Sequence, residues 1–220
     1  MLPPMGNDSL LQHLAFLPPL ILSLTVHEWA HAYSAFRLGD DTAARLGRLT
    51  LNPIPHIDPI GTILLPLLGV PFGWAKPVPV SPNRFRRDVS MRKGMMITAS
   101  AGPASNIVLA VICVLLLGLL YRFNVRQPAM ETFLTTGFGL NVILAFFNML
   151  PIYPLDGSRV ADGLMPYRFR PAWERFVQIG PLALLAVIVL PRMLNFSLFS
   201  WPMLIASQAA GWLLTQIVTL

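Results

Sequence analysis

The sequence predicts an all-α polytopic membrane protein of about five to six transmembrane helices. Three observations lead there. Apolar residues make up 55% of the 220 positions and charged residues only 12%, about half the ~25% charged fraction of an ordinary soluble domain. Four stretches, 94–121, 132–155, 176–191 and 193–220, contain no Asp, Glu, Lys or Arg, and each is near or above the ~20 residues that span a ~30 Å hydrocarbon layer. With 26 charges in 220 positions, a soluble protein of this size could not cover its surface and stay monomeric. Together these exclude an ordinary soluble enzyme, a disordered chain and a coiled coil. The net charge of +6 does not argue for nucleic acid, because basic residues in such a chain mostly report topology. The first nine residues carry no Lys or Arg, so the basic n-region of a cleavable signal peptide is missing. The single cysteine, Cys113, excludes an intrachain disulfide and reads as a core or lipid-facing residue.

Residues 10–36 form the first apolar segment, and Pro18-Pro19 inside it predict either a kink or the start of the long helix there. Residues 38–56 are polar and turn-rich. Residues 59–75 are apolar but broken by Pro59, Gly61, Pro66, Gly69, Pro71 and Gly73, which makes a poor continuous span. A basic stretch at 76–93 follows, its Arg84–Lys93 cluster suited to anchoring on an anionic inner leaflet. Then come the spans 94–121 and 132–150 with a short loop between them, a proline-rich stretch from Pro151 to Gly157, an amphipathic basic segment at 158–175, and two last apolar segments at about 176–191 and 200–220.

Charge decides how 59–75 is placed. If it crosses, Lys and Arg divide ten to six between the two sides. If it dips in and returns, thirteen fall on one side and only Arg122, Arg126 and Arg192 on the other, the split that the positive-inside rule expects. The reading adopted is re-entrant: N-terminus outside, five full spans, C-terminus inside. Irregular backbone at membrane depth must pack on protein or line a wet cavity, so a cavity is expected on the cytoplasmic side.

Within the first segment stands His27-Glu28-Trp29-Ala30-His31. On a helix, residues i and i+4 share a face, so both imidazoles can reach one ion. Glu28 then projects beside that ion, where it can take the proton of an attacking water. An ionisable cluster inside an apolar span is functional by default. Two histidines leave a zinc site one protein ligand short, and the candidates are His13, His56, Asp58, Cys113, Asp156 and Asp162. His13 lies 14 residues before His27, about 21 Å along a helix. Cys113 has no polar company. Asp156 is the best choice: it follows Pro151-Ile-Tyr-Pro154, an extended stretch that can bring a carboxylate in sideways, and Gly157 beside it permits close backbone approach. In the re-entrant topology the histidines, ten and six residues before Arg37, and Asp156, three before Arg159, arrive at the same membrane side. A metal transit site would explain intramembrane ligands but not Glu28 between them; an intact Glu28 counts against a silent zinc-binding protein.

Four stretches carry a family resemblance: His27-Glu28-Trp29-Ala30-His31, Gly73-Trp74-Ala75-Lys76-Pro77, Ala101-Gly102-Pro103-Ala104-Ser105-Asn106, and Asn148-Met-Leu-Pro151-Ile-Tyr-Pro154-Leu-Asp156-Gly157. With them the chain resembles the site-2 protease family of intramembrane zinc metalloproteases, in its compact bacterial type without an inserted PDZ domain. The resemblance implies one Zn2+ per chain held by His27, His31 and Asp156, with Glu28 as the catalytic glutamate. It implies that Asn148 contacts the substrate backbone or the transition state, and that residues 72–80 form a small membrane-embedded β-loop that engages an unwound substrate. Asn106 either hydrogen-bonds a site element or joins helices. The expected activity is zinc-dependent hydrolysis of transmembrane segments of single-span membrane proteins, in a bacterial cell membrane. The whole of 1–220 reads as one membrane-embedded domain, with the site inside 10–165 and accessory transmembrane helices at 172–220. Asn52-Pro53-Ile-Pro55-His56-Ile-Asp58-Pro59 reads first as a turn fixed by Asx and proline chemistry, and second as the carrier of a histidine near the metal.

Overall fold

Adjacent prolines in a helix remove two backbone donors, yet the first helix does not start at them. In the computed structural model, which describes residues 7–70, 73–194 and 197–219, α1 (Asn7–Arg37) continues through Pro18 and Pro19. Pro19 and Leu20 are fully buried, and the Ser23 hydroxyl donates to the Pro19 carbonyl at 2.7 Å. Packing against neighbouring helices thus offsets the lost backbone bonds.

After α1 comes a single helical turn, α2 (Thr42–Arg45). The Asx turn expected at Asn52 is present: its side chain accepts from Ile54 N–H at 3.1 Å, ahead of a 3-10 turn at Ile54–His56. His56 is buried there and donates from Nε2 to the Thr50 carbonyl at 2.9 Å. Asp58 then caps a π-helical turn, Pro59–Leu64, accepting from the N–H groups of Ile60 and Gly61 at 3.0 and 2.7 Å. The chain continues into α3 (Leu65–Leu67) and turns at Gly69, whose φ is +79°. Trp74 N–H bonds to the Gly61 carbonyl at 3.3 Å, and the Thr62 hydroxyl to the Trp74 carbonyl at 2.7 Å. The two limbs of 59–75 therefore lie side by side. A Cβ on Gly73 would fall on the Gly61 carbonyl, so the crossing needs glycine.

Residues 73–80 are extended but form no strand among the described residues, and Phe72 lies outside them. The local reason is visible. Trp74 and Lys76 spend their N–H groups on the carbonyls of Gly61 and His56, and Pro77 and Pro79 have none to offer. A 3-10 turn at Pro82–Arg84 closes this stretch, and Asp41 ties it to α2. Arg45 and Arg84 stand 2.6 and 3.0 Å from the Asp41 carboxylate; their hydrogen bonds, Arg45's foremost, hold its carboxyl below the usual range.

α4 (Met91–Arg122) begins where Ser90 caps the Lys93 N–H, and α5 (Pro128–Asn148) begins with proline at its first position. These two helices, of 32 and 21 residues, are each long and apolar enough to cross a membrane. α6 (Asp156–Leu164) follows, then a 3-10 turn, α7 (Arg170–Gln178), α8 (Gly180–Met193) and α9 (Ser200–Thr219). The segments Tyr167–Gln178 and Gly180–Pro191, bent by 63°, make a third candidate span if taken together. Every regular element among the described residues is helical. α1, α4 and α5 pack on one another, and α6 and α9 lie against α4. One core cluster joins Leu20 and Leu24 of α1 to Ala75 and Leu140; another joins Cys113 and Leu117 of α4 to Leu134 of α5. The outward faces stay apolar: Ile107, Val108, Val111, Ile112 and Leu115 of α4 are exposed, which suits a face surrounded by lipid.

Candidate metal centre

The helical spacing of His27 and His31 does what the sequence leads one to expect. Their rings share a face of α1, both at most 8% exposed, with Nε2 atoms 3.0 Å apart. α6 brings the third group. Gly157 packs against the carbonyls of Met149 and Leu150, where any side chain would collide. That seats the first turn of α6 so that Asp156 Oδ2 lies 3.1 Å from His27 Nε2 and 3.2 Å from His31 Nε2.

The tautomers follow from the far side of each ring. His31 Nδ1 lies 2.7 Å from the Thr98 carbonyl, which can only accept, so Nδ1 carries a proton and, in the neutral ring, Nε2 a lone pair. His27 Nδ1 lies 2.6 Å from Asn106 Oδ1 and has the same state. Asn106 is oriented in turn: its amide nitrogen donates to Asn141 Oδ1 at 2.7 Å and to the Ser23 carbonyl at 3.3 Å. Asn141 donates to the Ser23 hydroxyl and to the Gly137 carbonyl, both at 2.8 Å. This chain of amides crosses α1, α4 and α5 in the interior.

With both rings neutral, two imidazole lone pairs and a carboxylate oxygen converge on one point. A cation at the centre of such a group removes the repulsion among its lone pairs. Three ligands about 2.0–2.1 Å from one tetrahedral ion stand about 3.3 Å from one another, close to the separations found. α4 leaves room on that side: a Cβ at Gly102 would fall on Nε2 of both histidines. His27, His31 and Asp156 therefore fit a tetrahedral metal that keeps one position open.

Glu28, next to His27, lines the same cavity of about 460 Å³, as do Asn148 and Arg159. Its Oε2 accepts the Val78 N–H at 2.7 Å. The Asn148 amide donates to the Leu144 carbonyl of its own helix at 3.0 Å, leaving one N–H unassigned by that bond. Asn106, fully buried, stands behind the His27 ring rather than on the cavity wall. The other candidates lie elsewhere. His13 packs beside Gly69, His56 and Asp58 fix turns, Cys113 is in the core, and Asp162 faces Arg92 at 3.4 Å. Sequence reasoning missed Asn141, although an amide inside a charge-free span is itself a signal. It also missed the carbonyl of Thr98, for which no side-chain signal exists.

A family model described as "Peptidase family M50" matches residues 122–191. The chain is 41% identical over 194 residues to "Putative zinc metalloprotease YwhC" of Bacillus subtilis (strain 168), an alignment covering 86% of this chain and 85% of that one. The chain belongs to peptidase family M50, the site-2 protease family. This M50 peptidase is also 32% identical over 187 residues to "Putative zinc metalloprotease Rip2" of Mycolicibacterium smegmatis, across 82% of this chain and 70% of that one. No solved structure matches the chain. It is an integral membrane zinc metalloprotease, a hydrolase whose cofactor is Zn2+.

Proposed function

We propose that this M50 peptidase is an intramembrane endopeptidase that cleaves transmembrane segments of single-span membrane proteins. The observation that carries the reading is the cavity itself: it gathers His27, Glu28, His31 and Asp156 between α1 and helices apolar enough to cross a membrane. His27, His31 and Asp156 hold one zinc per chain, and Glu28, which is not part of the converging donor set, is the base. Bound there, zinc lowers the pKa of water and polarises the scissile carbonyl. The Glu28 carboxylate takes the proton of the attacking water and returns it to the leaving amine. The second N–H of the Asn148 amide is available to the oxyanion or to the substrate backbone. Asn106 keeps His27 in its metal-facing tautomer.

A transmembrane helix satisfies its backbone bonds internally and must unwind before attack. The extended residues 73–80 supply an edge along which an unwound segment can add. The paired limbs of 59–75 support a re-entrant hairpin rather than a span. With α1, α4, α5, the α7–α8 pair and α9 as five spans, the N-terminus is outside and the site faces the cytoplasm of a bacterial cell membrane. The domain is single, with the site in 10–165 and accessory helices in 172–220. Glu28→Gln tests the core of this: cleavage of a panel of single-span proteins should fall by at least about 10²–10⁴, the usual worth of a general base, while zinc stays bound. Retained cleavage refutes the assignment of Glu28, and loss of zinc makes it a ligand.

A further inference from the structure

Val78 holds Glu28, and what holds Val78 is unusual. The extended strap from Lys76 to Ser81 has no strand partner among the described residues, and Pro77 and Pro79 on either side of Val78 lack N–H groups. Two buried charges take the place of a ladder. Upstream, Arg48 is 8% exposed and donates from Nη1 to the Pro77 carbonyl at 3.0 Å and from Nη2 to the Lys76 carbonyl at 2.5 Å. Downstream, Asp40 is 1% exposed; its Oδ2 accepts the Ser81 N–H at 2.6 Å, and its Oδ1 accepts the N–H and hydroxyl of Thr42 at 3.0 and 2.5 Å. Neither charge faces an opposite one among the described residues.

Burying a charge with only neutral partners is costly. Here both charges belong to the loop that continues from α1, the helix that carries Glu28. The contacts close a ring: Glu28, the end of α1, Asp40 and Arg48, the strap, and the Val78 N–H back to Glu28. A glutamate has three rotatable bonds, and a base 1 Å out of place loses about 10² in rate. The Val78 bond removes that freedom at Oε2 and leaves Oε1 for the proton.

We propose that Arg48 and Asp40 are positioning residues of the reaction: by clamping the backbone on both sides of Val78 they hold its N–H on Glu28 and fix that carboxylate at the metal centre. This rests on the reading of Glu28 as the base.

The test uses the full-length protein reconstituted in lipid, with zinc content, kcat and KM measured on one single-span substrate. Arg48→Met should lower kcat at least about tenfold, with KM within about twofold and zinc unchanged. Arg48→Lys, which can still donate to the same carbonyls, should recover most of the rate. A backbone ester at position 78, made by incorporating α-hydroxyvaline, removes the N–H and weakens the Pro77 carbonyl as an acceptor, but keeps the bonds of Arg48 to the Lys76 carbonyl and of Asp40 to the Ser81 N–H. It should reproduce the loss in kcat, and it decides the matter even where Arg48→Met fails to fold. Unchanged kcat in the ester overturns the proposal. So does a rise in KM alone, which would assign the strap to substrate binding, or a loss of zinc, which would assign it to the metal. Glu28→Gln is measured alongside. If it is inactive while the ester is fully active, the clamp fails and the base stands; if it still cleaves, both fall.

Discussion

His27 and His31 each have Nδ1 committed to an acceptor on α4, so both rings present a lone pair to the same point. The two acceptors are not equivalent. The Thr98 carbonyl is backbone and cannot be mutated away, whereas Asn106 is a side chain whose loss leaves His27 free to change tautomer. Asn106→Leu should weaken zinc about 10–100-fold, as expected when the partner behind a metal-bound histidine is removed. Asn148→Ala should leave zinc affinity unchanged and slow cleavage, by about 10²–10³ if its amide serves the oxyanion. Competition with a chelator and single-turnover rates separate the two. Equal zinc affinity in Asn106→Leu and the parent would show that the His27–Asn106 bond does nothing for the metal. Zinc loss in Asn148→Ala would place that amide in support of the site instead of the substrate.

Among elements, α4 decides whether there is space for an ion, because Gly102 faces both histidines where any other residue carries a Cβ. Gly102→Ala isolates this contribution. Alanine favours a helix interior over glycine by about 1 kcal/mol, so helicity should hold while zinc binding and cleavage are lost. Circular dichroism with metal analysis checks it, and a zinc-replete Gly102→Ala would mean that α4 stands further from α1 than described. The 59–75 segment shows how far element-level reading reached. Its glycines and prolines marked it as a poor continuous span, and the Asx and proline chemistry of 52–59 located the turn before it. That the returning limb is bonded to loop carbonyls rather than to a strand followed from neighbours distant in sequence. α1 shows the reverse: propensity alone would end or kink a helix at Pro18-Pro19, but burial between α4 and α5 carries it through.

At the scale of the molecule, a metal held by His27, His31 and Asp156 as proposed would tie α1 to α6 across α4. Chelation should therefore lower thermal stability as well as activity, and zinc should restore both. A ligand at a thousand times its Kd contributes about 4 kcal/mol, enough for a clear fall in the melting temperature in detergent. An unchanged melting temperature would mean that the helices hold together without the ion. Topology is tested with single cysteines in a Cys113→Ala background. Arg45→Cys, Arg87→Cys and Arg168→Cys should label from the cytoplasmic side and Arg126→Cys from outside. Labelling of positions 45 and 87 from opposite faces would make 59–75 a crossing segment and refute the thirteen-to-three division of charge.

The sequence by itself determined the solvent, the face of α1 that carries His27 and His31, and the carboxylate that converges on them. Hydrocarbon selects charge-free runs, helical periodicity puts His27 and His31 on one face, and Pro154, Asp156 and Gly157 mark where a carboxylate can enter. Each of these is local chemistry, written within a few residues. The tertiary structure alone decided what stands behind and beside that chemistry. Asn106 with Asn141, the Thr98 carbonyl, the space above Gly102 and the hold of Arg48 and Asp40 on the strap all join residues 28 to 118 positions apart. Backbone groups also do much of this work, and every residue has them. A sequence names side chains, so it cannot show which carbonyl or N–H the fold will bring to the site.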